Sequence, residues 1–273
     1  MKKWLIILLC LLPVLSCVGQ KDDPEDEPID NPEPKPQPDP ESHQDPNEDQ
    51  GPYFRRSLIL DFTGTWCVNC PKMQTAIYDA CEQRPGRIVV VSVHCLSVDP
   101  MALTSESAAL IKEFGVSAYP SAVVDLDPSS LTSTSSTELL LSHCDRLLEA
   151  RGDACGIKIS STLDGGALKV DVEATPVRDG SYSIHLVLLE DGVVAKQIGA
   201  SDDYVHNDVL RAWLDAPSAF EGVTGQAFSA SFSLDGAAEG MRVAAIVRRD
   251  GTADNAASCH VGEQIDYQHE PKI

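Results

Sequence analysis

The segment LILDFTGTWCVNCPKM, residues 58–73, places Cys67 and Cys70 two residues apart, directly behind Trp66. The segment begins within a short apolar run, SLILDF at 57–62, which is typical of a buried strand. It leads into PKMQTAIYDACEQ at 71–83, where apolar residues recur at helical spacing. The pattern therefore predicts a cysteine pair at a strand-to-helix junction. Such a pair can serve as a redox centre, a metal clamp or an inert structural disulfide.

The residues that follow continue as alternating strands and helices. Continuous β-branched runs indicate strands, and apolar residues three or four apart indicate helices. The predicted elements after the first helix are a strand at 88–95, a helix at 105–114, a strand at 121–126 and a helix at 136–150. This order is typical of an α/β layout.

Beyond residue 153 the apolar residues alternate with polar ones instead. The alternating stretches are GIKISSTL, ALKVDVEAT, SYSIHLVLLE, AFSASFSL and MRVAAIVRR, with Asp-Gly turn signals between them. The spacing predicts an antiparallel sandwich of about seven strands. One patch, YVHNDVLRAWL at 204–214, departs from the pattern. There, His206 and Arg211 could bind an anion, or the patch could be a polar connection that enters a strand.

The N-terminus is typical of a lipoprotein signal peptide at residues 1–16. Lys2 and Lys3 precede an apolar run, Trp4 to Leu15, that is too short to span a bilayer. The run ends in VLSC at 14–17, the pattern of a lipobox, so Cys17 is the expected lipidation site. A competing Cys10 follows a leucine that is too large for the signal peptidase. An anchor with more than one acyl chain gives stable membrane attachment.

Residues 17–52 are expected to form an acidic, proline-rich, disordered tether. Residues 21–50 contain twelve acidic residues, eight prolines and a single aliphatic residue, Ile29. Such a segment cannot bury enough apolar surface to offset its ordering entropy. The acidic run near the lipid site resembles signals that send lipoproteins to the cell surface, and the alternative is a spacer that faces the periplasm. The net charge of −21 argues against nucleic-acid partners.

Seven cysteines remain in the mature chain, so at least one thiol stays free or pairs transiently. His94 and Cys95 end the predicted strand at the same sheet edge as the dithiol, which leaves a zinc or copper site with Cys67 and Cys70 as an alternative. The other thiols divide between predicted core positions (Cys81, Cys144) and a possible bridge in the second half (Cys155, Cys259).

The segment around the cysteine pair resembles the active site of thioredoxins. Asp61 stands where thioredoxins keep a buried acid, and Tyr119-Pro120 before a strand looks like their cis-proline. The resemblance implies that Cys67 is the nucleophile, Cys70 the resolving thiol and Asp61 a proton relay. It also implies that Trp66 shields the sulfurs and that Tyr119 and Pro120 lie against the dithiol.

Two features depart from the thioredoxin pattern. The dipeptide between the cysteines is Val68-Asn69 rather than Gly-Pro, so the redox potential is left open. No lysine stands in IVVVSVHC to pair with Asp61.

The whole chain is similar to the twenty-eight-kilodalton outer-membrane protein family, on FTGTWCVNCP and HNDVLRA. That resemblance implies an outer-membrane lipoprotein, on its periplasmic or its surface face. The expected fold is an α/β thioredoxin-like domain at 53–152 followed by an all-β, immunoglobulin-like sandwich domain at 153–273.

The expected function is that of a lipid-anchored thiol-disulfide oxidoreductase without cofactor or metal. Its partners would be protein thiols or disulfides, and the membrane through Cys17. The alternative is a surface binding or adhesion module with a thioredoxin fold as scaffold and a structural disulfide.

Overall fold

Strands dominate the architecture in the computed structural model, which describes residues 51–271. The predicted signal peptide, the predicted lipidation site Cys17 and the predicted tether up to residue 50 lie outside the described residues. Between residues 51 and 271 no helix has the length and apolar character needed to cross a membrane.

Three α-helices form where the helical periodicity predicts them. They are α1 (Cys70–Gln83), α2 (Thr104–Phe114) and α3 (Thr137–Arg151), and a short 3₁₀ turn covers Pro128–Ser130. The Ser136 hydroxyl caps α3 by accepting a hydrogen bond from the Leu139 amide at 3.2 Å. Gly115 ends α2 in the left-handed region at φ 68°, a conformation that costs glycine little.

The strands lie in three sheets. In chain order they are β1 (Ser57–Thr63), β2 (Ile88–His94), β3 (Ser121–Val124), β4 (Gly156–Asp164), β5 (Ala167–Thr175), β6 (Gly180–Glu190), β7 (Val193–Ala195), β8 (Tyr204–His206), β9 (Val209–Asp215), β10 (Phe220–Gly222), β11 (Phe228–Asp235), β12 (Arg242–Arg249), β13 (Thr252–His260) and β14 (Gln264–Ile265).

The largest sheet has eight strands and draws them from both halves of the chain. Its order is β13-β12-β6-β9-β2-β1-β3, and β10 pairs with β6 off this path. The pairs β1–β2 and β2–β9 are parallel, and the other pairs are antiparallel. A second sheet, β11-β5-β4-β14, is antiparallel, and β7 and β8 form a separate hairpin.

The predicted fold, an α/β thioredoxin-like domain followed by a separate immunoglobulin-like sandwich, is wrong. Strand β9 pairs with β2 through Val209 and Ser92, so the first strands and the later ones share one mixed sheet. The described chain is mostly β-sheet with three helices. The error arose because β9 comes from the patch read as an anion site or a polar connection, and local periodicity carries no information on such distant pairing.

Three hydrophobic clusters hold these layers together. On one face of the large sheet, Leu60, Phe62 and Val91 pack with Phe114 of α2. On the opposite face, α1 and α3 cover β1, β2 and β3. Farther along that face, the four-stranded sheet packs against β6 and β12 through residues such as Ile159. The sheet thereby holds the cysteine pair at the end of β1, under the start of α1.

Candidate active site at the Cys67–Cys70 pair

The cysteine pair lies in the turn between β1 and α1 and forms a disulfide with a Cα–Cα separation of 5.4 Å. Within the turn, the Cys67 amide donates to the Gly64 carbonyl at 3.0 Å, and the Cys70 amide donates to the Cys67 carbonyl at 3.3 Å. Cys67 is 5% exposed and Cys70 is 2% exposed. The disulfide is therefore almost completely buried, and Cys67 is slightly more exposed than Cys70.

Helix α1 begins at Cys70, so Cys67 precedes the helix rather than starting it. The N-cap residue Asn69 makes no capping hydrogen bond with its side chain, and the first turn holds no acidic residue. Pro71 in that turn brings no amide of its own. The helix dipole favours negative charge in front of the helix, which is the charge of a thiolate.

Trp66 lies beside Tyr119 and Cys95, next to the pair. Its indole nitrogen donates to the Cys95 carbonyl at 3.0 Å, and its ring meets the Tyr119 ring edge-on at 5.1 Å. Burial and the neighbouring Cys95 side chain raise the pKa of Tyr119 to about 12, so the phenol stays protonated. The Tyr119-Pro120 peptide bond is cis, as expected, and Pro120 is buried.

Asp61 is buried in β1 on the sheet face that α1 covers. Side chains alternate along a strand, so Asp61 shares the face of Ile59, which packs with Met73 and Ile77 of α1. Its Oδ1 atom has no hydrogen-bond partner within the described range. Burial first, and the Asp208 carboxylate second, raise the pKa of Asp61 to about 8. Asp61 can therefore hold or release a proton near neutral pH.

Asp208 brings the second half of the chain to this site. It sits at φ 57° just before β9, and its carbonyl accepts a hydrogen bond from the Ser92 amide at 2.8 Å. Ser92 is the cross-strand neighbour of Asp61. The Asp208 carboxylate accepts hydrogen bonds from Tyr78 at 3.3 Å and Arg242 at 2.6 Å. Asp208 lies within the HNDVLR motif, but neither its role nor its neighbour Asp61 was predicted from the sequence.

The loop that joins β7 and β8 hydrogen-bonds to the cysteine turn. The Gln197 side-chain amide donates to the Cys67 carbonyl at 2.9 Å and to the Gly64 carbonyl at 3.2 Å. The Ile198 amide donates to the Thr65 carbonyl at 2.8 Å. A Cβ atom at Gly199 would overlap the carbonyl oxygen of Val68. These contacts fix the turn, and none of them was predicted from the sequence.

A buried group of polar rings lies behind the turn. The Nδ1 atom of His94 is 3.0 Å from an Asp99 carboxylate oxygen, which also accepts from the Thr65 amide at 2.6 Å. The His94 and His206 rings meet edge-on at 5.3 Å. Burial and the neighbouring His94 lower the pKa of His206 to about 4, and its Nε2 atom has no partner among residues 51–271. At neutral pH His206 is therefore an uncharged packing partner.

The alternatives that involve the remaining thiols and His206 find little support. Cys95 donates to the Val93 carbonyl at 3.1 Å, and the described residues include no group of three or more His, Cys, Asp or Glu side chains suited to a metal. Arg211 pairs with Glu190 at 2.6 Å. The suggested bridge between Cys155 and Cys259 is not formed; among residues 51–271 the free thiols are Cys81, Cys95, Cys144, Cys155 and Cys259.

Apolar side chains surround the cysteine turn. A groove of about 300 Å³ runs between Trp66 and Ile198. Large apolar residues stand exposed on the turn (Val68, 57%), on the loop after β2 (Val98, 72%) and on β7 (Val194, 64%). Exposed apolar side chains gathered in one place are typical of a contact surface for another polypeptide.

Comparisons with known proteins bear on the fold alone. No protein-family model and no curated protein matches the sequence. Among solved structures, HBP35 of Porphyromonas gingivalis is similar over 82% of this chain and 81% of its own, with a TM-score of 0.67 and 16% identity. A crystallised protein of Agrobacterium tumefaciens is similar over 78% and 97%, with a TM-score of 0.54 and 14% identity. At such identities the likeness shows the fold alone.

Proposed function

We propose that this protein exchanges thiols and disulfides with other polypeptides through Cys67 and Cys70. The observation that carries the proposal is the disulfide-bonded pair directly in front of helix α1, at the end of the strand that holds a buried carboxyl group, Asp61, with a pKa near 8. A helix start favours the thiolate that exchange requires. A buried carboxyl that titrates near neutral pH is suited to moving the proton.

The order of the exchange steps follows from Cys67 being the more exposed of the two cysteines. A substrate thiolate attacks the Cys67 sulfur, the Cys67–Cys70 bond breaks, and Cys70 leaves as a thiolate. A second substrate thiolate then attacks the mixed disulfide, which releases an oxidised substrate and leaves Cys67 reduced. The reverse sequence, with Cys67 as nucleophile and Cys70 as resolving thiol, reduces a substrate disulfide. Two electrons move between the pair and the substrate in either direction.

Asp61 serves as the proton relay in this scheme. At neutral pH the protonated carboxyl can give its proton to the Cys70 thiolate as that thiolate leaves. In the reverse direction the carboxylate can take the proton from the Cys70 thiol. Asp61 lies under α1, the helix that begins with Cys70.

The substrate class follows from the surroundings of the turn. Trp66 and Ile198 border a groove, and Val68 and Val98 stand exposed nearby. These side chains suit an extended polypeptide with apolar residues beside its cysteine. Trp66, Tyr119 and Pro120 would then form the wall along which that polypeptide lies.

We place this activity in an oxidising cell envelope, with the chain anchored through a lipidated Cys17. An oxidising compartment permits disulfide chemistry. The similarity to the twenty-eight-kilodalton outer-membrane protein family supports an outer-membrane lipoprotein. A Cys17→Ala variant should then leave the membrane fraction or accumulate unprocessed. A processed variant that still sediments with membranes would contradict the anchor.

The rival function is a binding or adhesion module in which the disulfide is structural. The low exposure of Cys67 favours this reading because it restricts access to the sulfur, and the Gln197 contact favours it because it holds the backbone of the turn in place. The two functions differ in how readily the pair is reduced.

The reduction potential of the pair and its turnover with insulin separate the two functions. Exchange activity requires a potential above about −300 mV and turnover that disappears in Cys67→Ser. A pair that stays oxidised below that value, without turnover, would make the disulfide structural. A Cys70→Ser variant should also trap substrates as mixed disulfides, with the double variant Cys67→Ser/Cys70→Ser as control.

A further inference from the structure

A second cavity lies at the opposite sheet edge from the dithiol. Strands β1 and β2 are parallel, and their first residues, Ser57 and Ile88, line a cavity of about 350 Å³. The cysteine turn follows the other end of β1. Seven residues of strand separate the two ends by roughly 20 Å. The cavity is therefore a separate site, with a volume in the range of small-molecule pockets.

Three arginines line this cavity in an otherwise acidic protein: Arg55, Arg84 and Arg87. Arg55 is 7% exposed and pairs with the buried Asp125 at 3.1 Å. Its Nε atom is buried and has no hydrogen-bond partner in the described part of the chain. An unsatisfied cationic donor in a buried position is costly unless a ligand or water meets it.

The other two arginines have partners that can be displaced. Arg84 makes one ion pair among residues 51–271, with Asp145 at 3.3 Å, and both side chains are about half exposed. Exposed pairs of this kind contribute little to stability. Arg87 pairs through both terminal nitrogens with the two carboxylate oxygens of Glu270. Glu270 thus shows that a carboxylate group suits this cavity mouth, since fork-shaped pairing favours that group.

Besides the arginines and Glu270, the lining holds the Asp145 carboxylate and two apolar residues, with Ser57 and Cys144 between them. Ile88 and Leu148 flank the arginines, and Leu148 is 47% exposed although it is a large apolar residue on α3. A ligand that covered Leu148 would remove apolar surface from water. The ligand therefore needs an apolar body as well as an anionic end.

We infer that this cavity binds a small monocarboxylate with an apolar tail. The carboxylate lies against Arg84, and the tail lies along Ile88 and Leu148. Asp145 competes for Arg84 and Glu270 competes for Arg87, because each brings a carboxylate of its own to the cavity. The chemistry required is a single negative charge on an unbranched hydrocarbon, as in a medium-chain fatty acid.

Isothermal titration of the full-length mature protein with octanoate tests this inference, with octanol as the uncharged probe. Octanoate should bind at least tenfold more tightly than octanol. Arg84→Ala should weaken octanoate binding at least tenfold, because it removes the cation whose present ion pair, with Asp145, is weak and partly exposed. Glu270→Gln should strengthen octanoate binding several-fold, because it removes the competing charge and keeps the shape.

Arg146→Ala is the control, because Arg146 is another exposed arginine, lies on α3 beside the cavity residue Asp145, and donates to Ser129 outside the cavity. It should bind octanoate as the unmodified protein does. Both Arg84 and Glu270 are partly exposed, so neither variant should unfold the chain. Equal affinity for octanoate and octanol, an unchanged affinity in Arg84→Ala, or no binding even in Glu270→Gln would overturn the assignment.

Discussion

The side-chain amide of Gln197 donates a hydrogen bond of 2.9 Å to the carbonyl oxygen of Cys67. A residue from the β7–β8 hairpin loop thereby holds the backbone of the reactive turn. Gln197 is itself buried, at 4% exposure, and donates to Gly64 as well. The conformation of the cysteine turn consequently depends on a part of the chain far from it in sequence.

Replacing Gln197 with alanine should loosen the turn and lower the stability. The carbonyls of Gly64 and Cys67 would lose a buried donor, which should cost about 1–3 kcal/mol in the free energy of unfolding. Urea unfolding measures this loss. After reduction, Cys67 should also react faster with a maleimide reagent.

Lys196→Ala is the control for that variant, since Lys196 is exposed and pairs with Asp202 at the surface. It should change neither the stability nor the maleimide rate. Equal effects of the two substitutions would mean that the hairpin does not restrain the turn.

Gly199 should tolerate a side chain poorly. Its φ of 86° is unfavourable for other residues, and a Cβ atom there would overlap the Val68 carbonyl. Gly199→Ala should therefore lower the free energy of unfolding by more than about 1 kcal/mol. It should also raise the maleimide rate of reduced Cys67, because the hairpin must move away from the turn.

Gly192→Ala separates strain from contact. Gly192 has a similar φ of 73°, but nothing lies within 4 Å of its missing Cβ. This control should lose stability through strain alone and leave the maleimide rate unchanged. If both glycine variants lose the same stability and neither alters the rate, the close approach to Val68 has no functional consequence.

Local periodicity predicted the first six elements to within two residues at either end. In that region, apolar runs and helical spacing depend on neighbours close in sequence. The alternation of polar and apolar residues did not predict β13. Asp254 and Asn255 on this strand are buried, and each is hydrogen-bonded to the backbone of Cys155. Polar residues that are satisfied in this way hide a strand from any test based on alternating polarity.

The candidate site was predictable only in part. The spacing of Cys67 and Cys70 and the position of Asp61 pointed to a dithiol with a buried acid. The contributions of Gln197 and Asp208 were not predictable, because both reach the site through the pairing of β9 with β2 and through the hairpin loop. The same long-range pairing merged the two expected domains into one sheet.

Asp61→Asn should stabilise the folded protein. The folded carboxyl titrates near pH 8 and the unfolded one near its ordinary 3.8, so between these values the folded state holds a proton that the unfolded state releases. Its contribution to stability therefore falls as the pH rises through this window. The neutral amide removes that penalty and should add roughly 2–4 kcal/mol to the free energy of unfolding at pH 7.

Urea unfolding at several pH values checks this expectation, and Asp79→Asn is the control because Asp79 lies exposed on α1. The control should keep the stability and pH slope of the unmodified protein. A loss of stability in Asp61→Asn at pH 7 would mean that Asp61 is ionised and satisfied in the folded state. In the proposed scheme, Asp61→Asn should also slow insulin reduction.

His206 should give the opposite slope below neutral pH. Its folded pKa lies near 4 and its unfolded value near 6.5, so the unfolded state binds an extra proton between these values. Stability from this group is complete above pH 6.5 and is lost as the pH falls towards 4, by up to about 3 kcal/mol. The effect opposes that of Asp61 over the same range, so it is best measured in the Asp61→Asn background.

In that background, adding His206→Gln should flatten the slope of stability between pH 4 and 6.5. The lost contacts with His94 and Tyr204 lower the stability equally at every pH and do not alter this slope. His260→Gln, at an exposed position, should leave the slope in place. A slope that persists after His206→Gln would assign the low-pH sensitivity to another group.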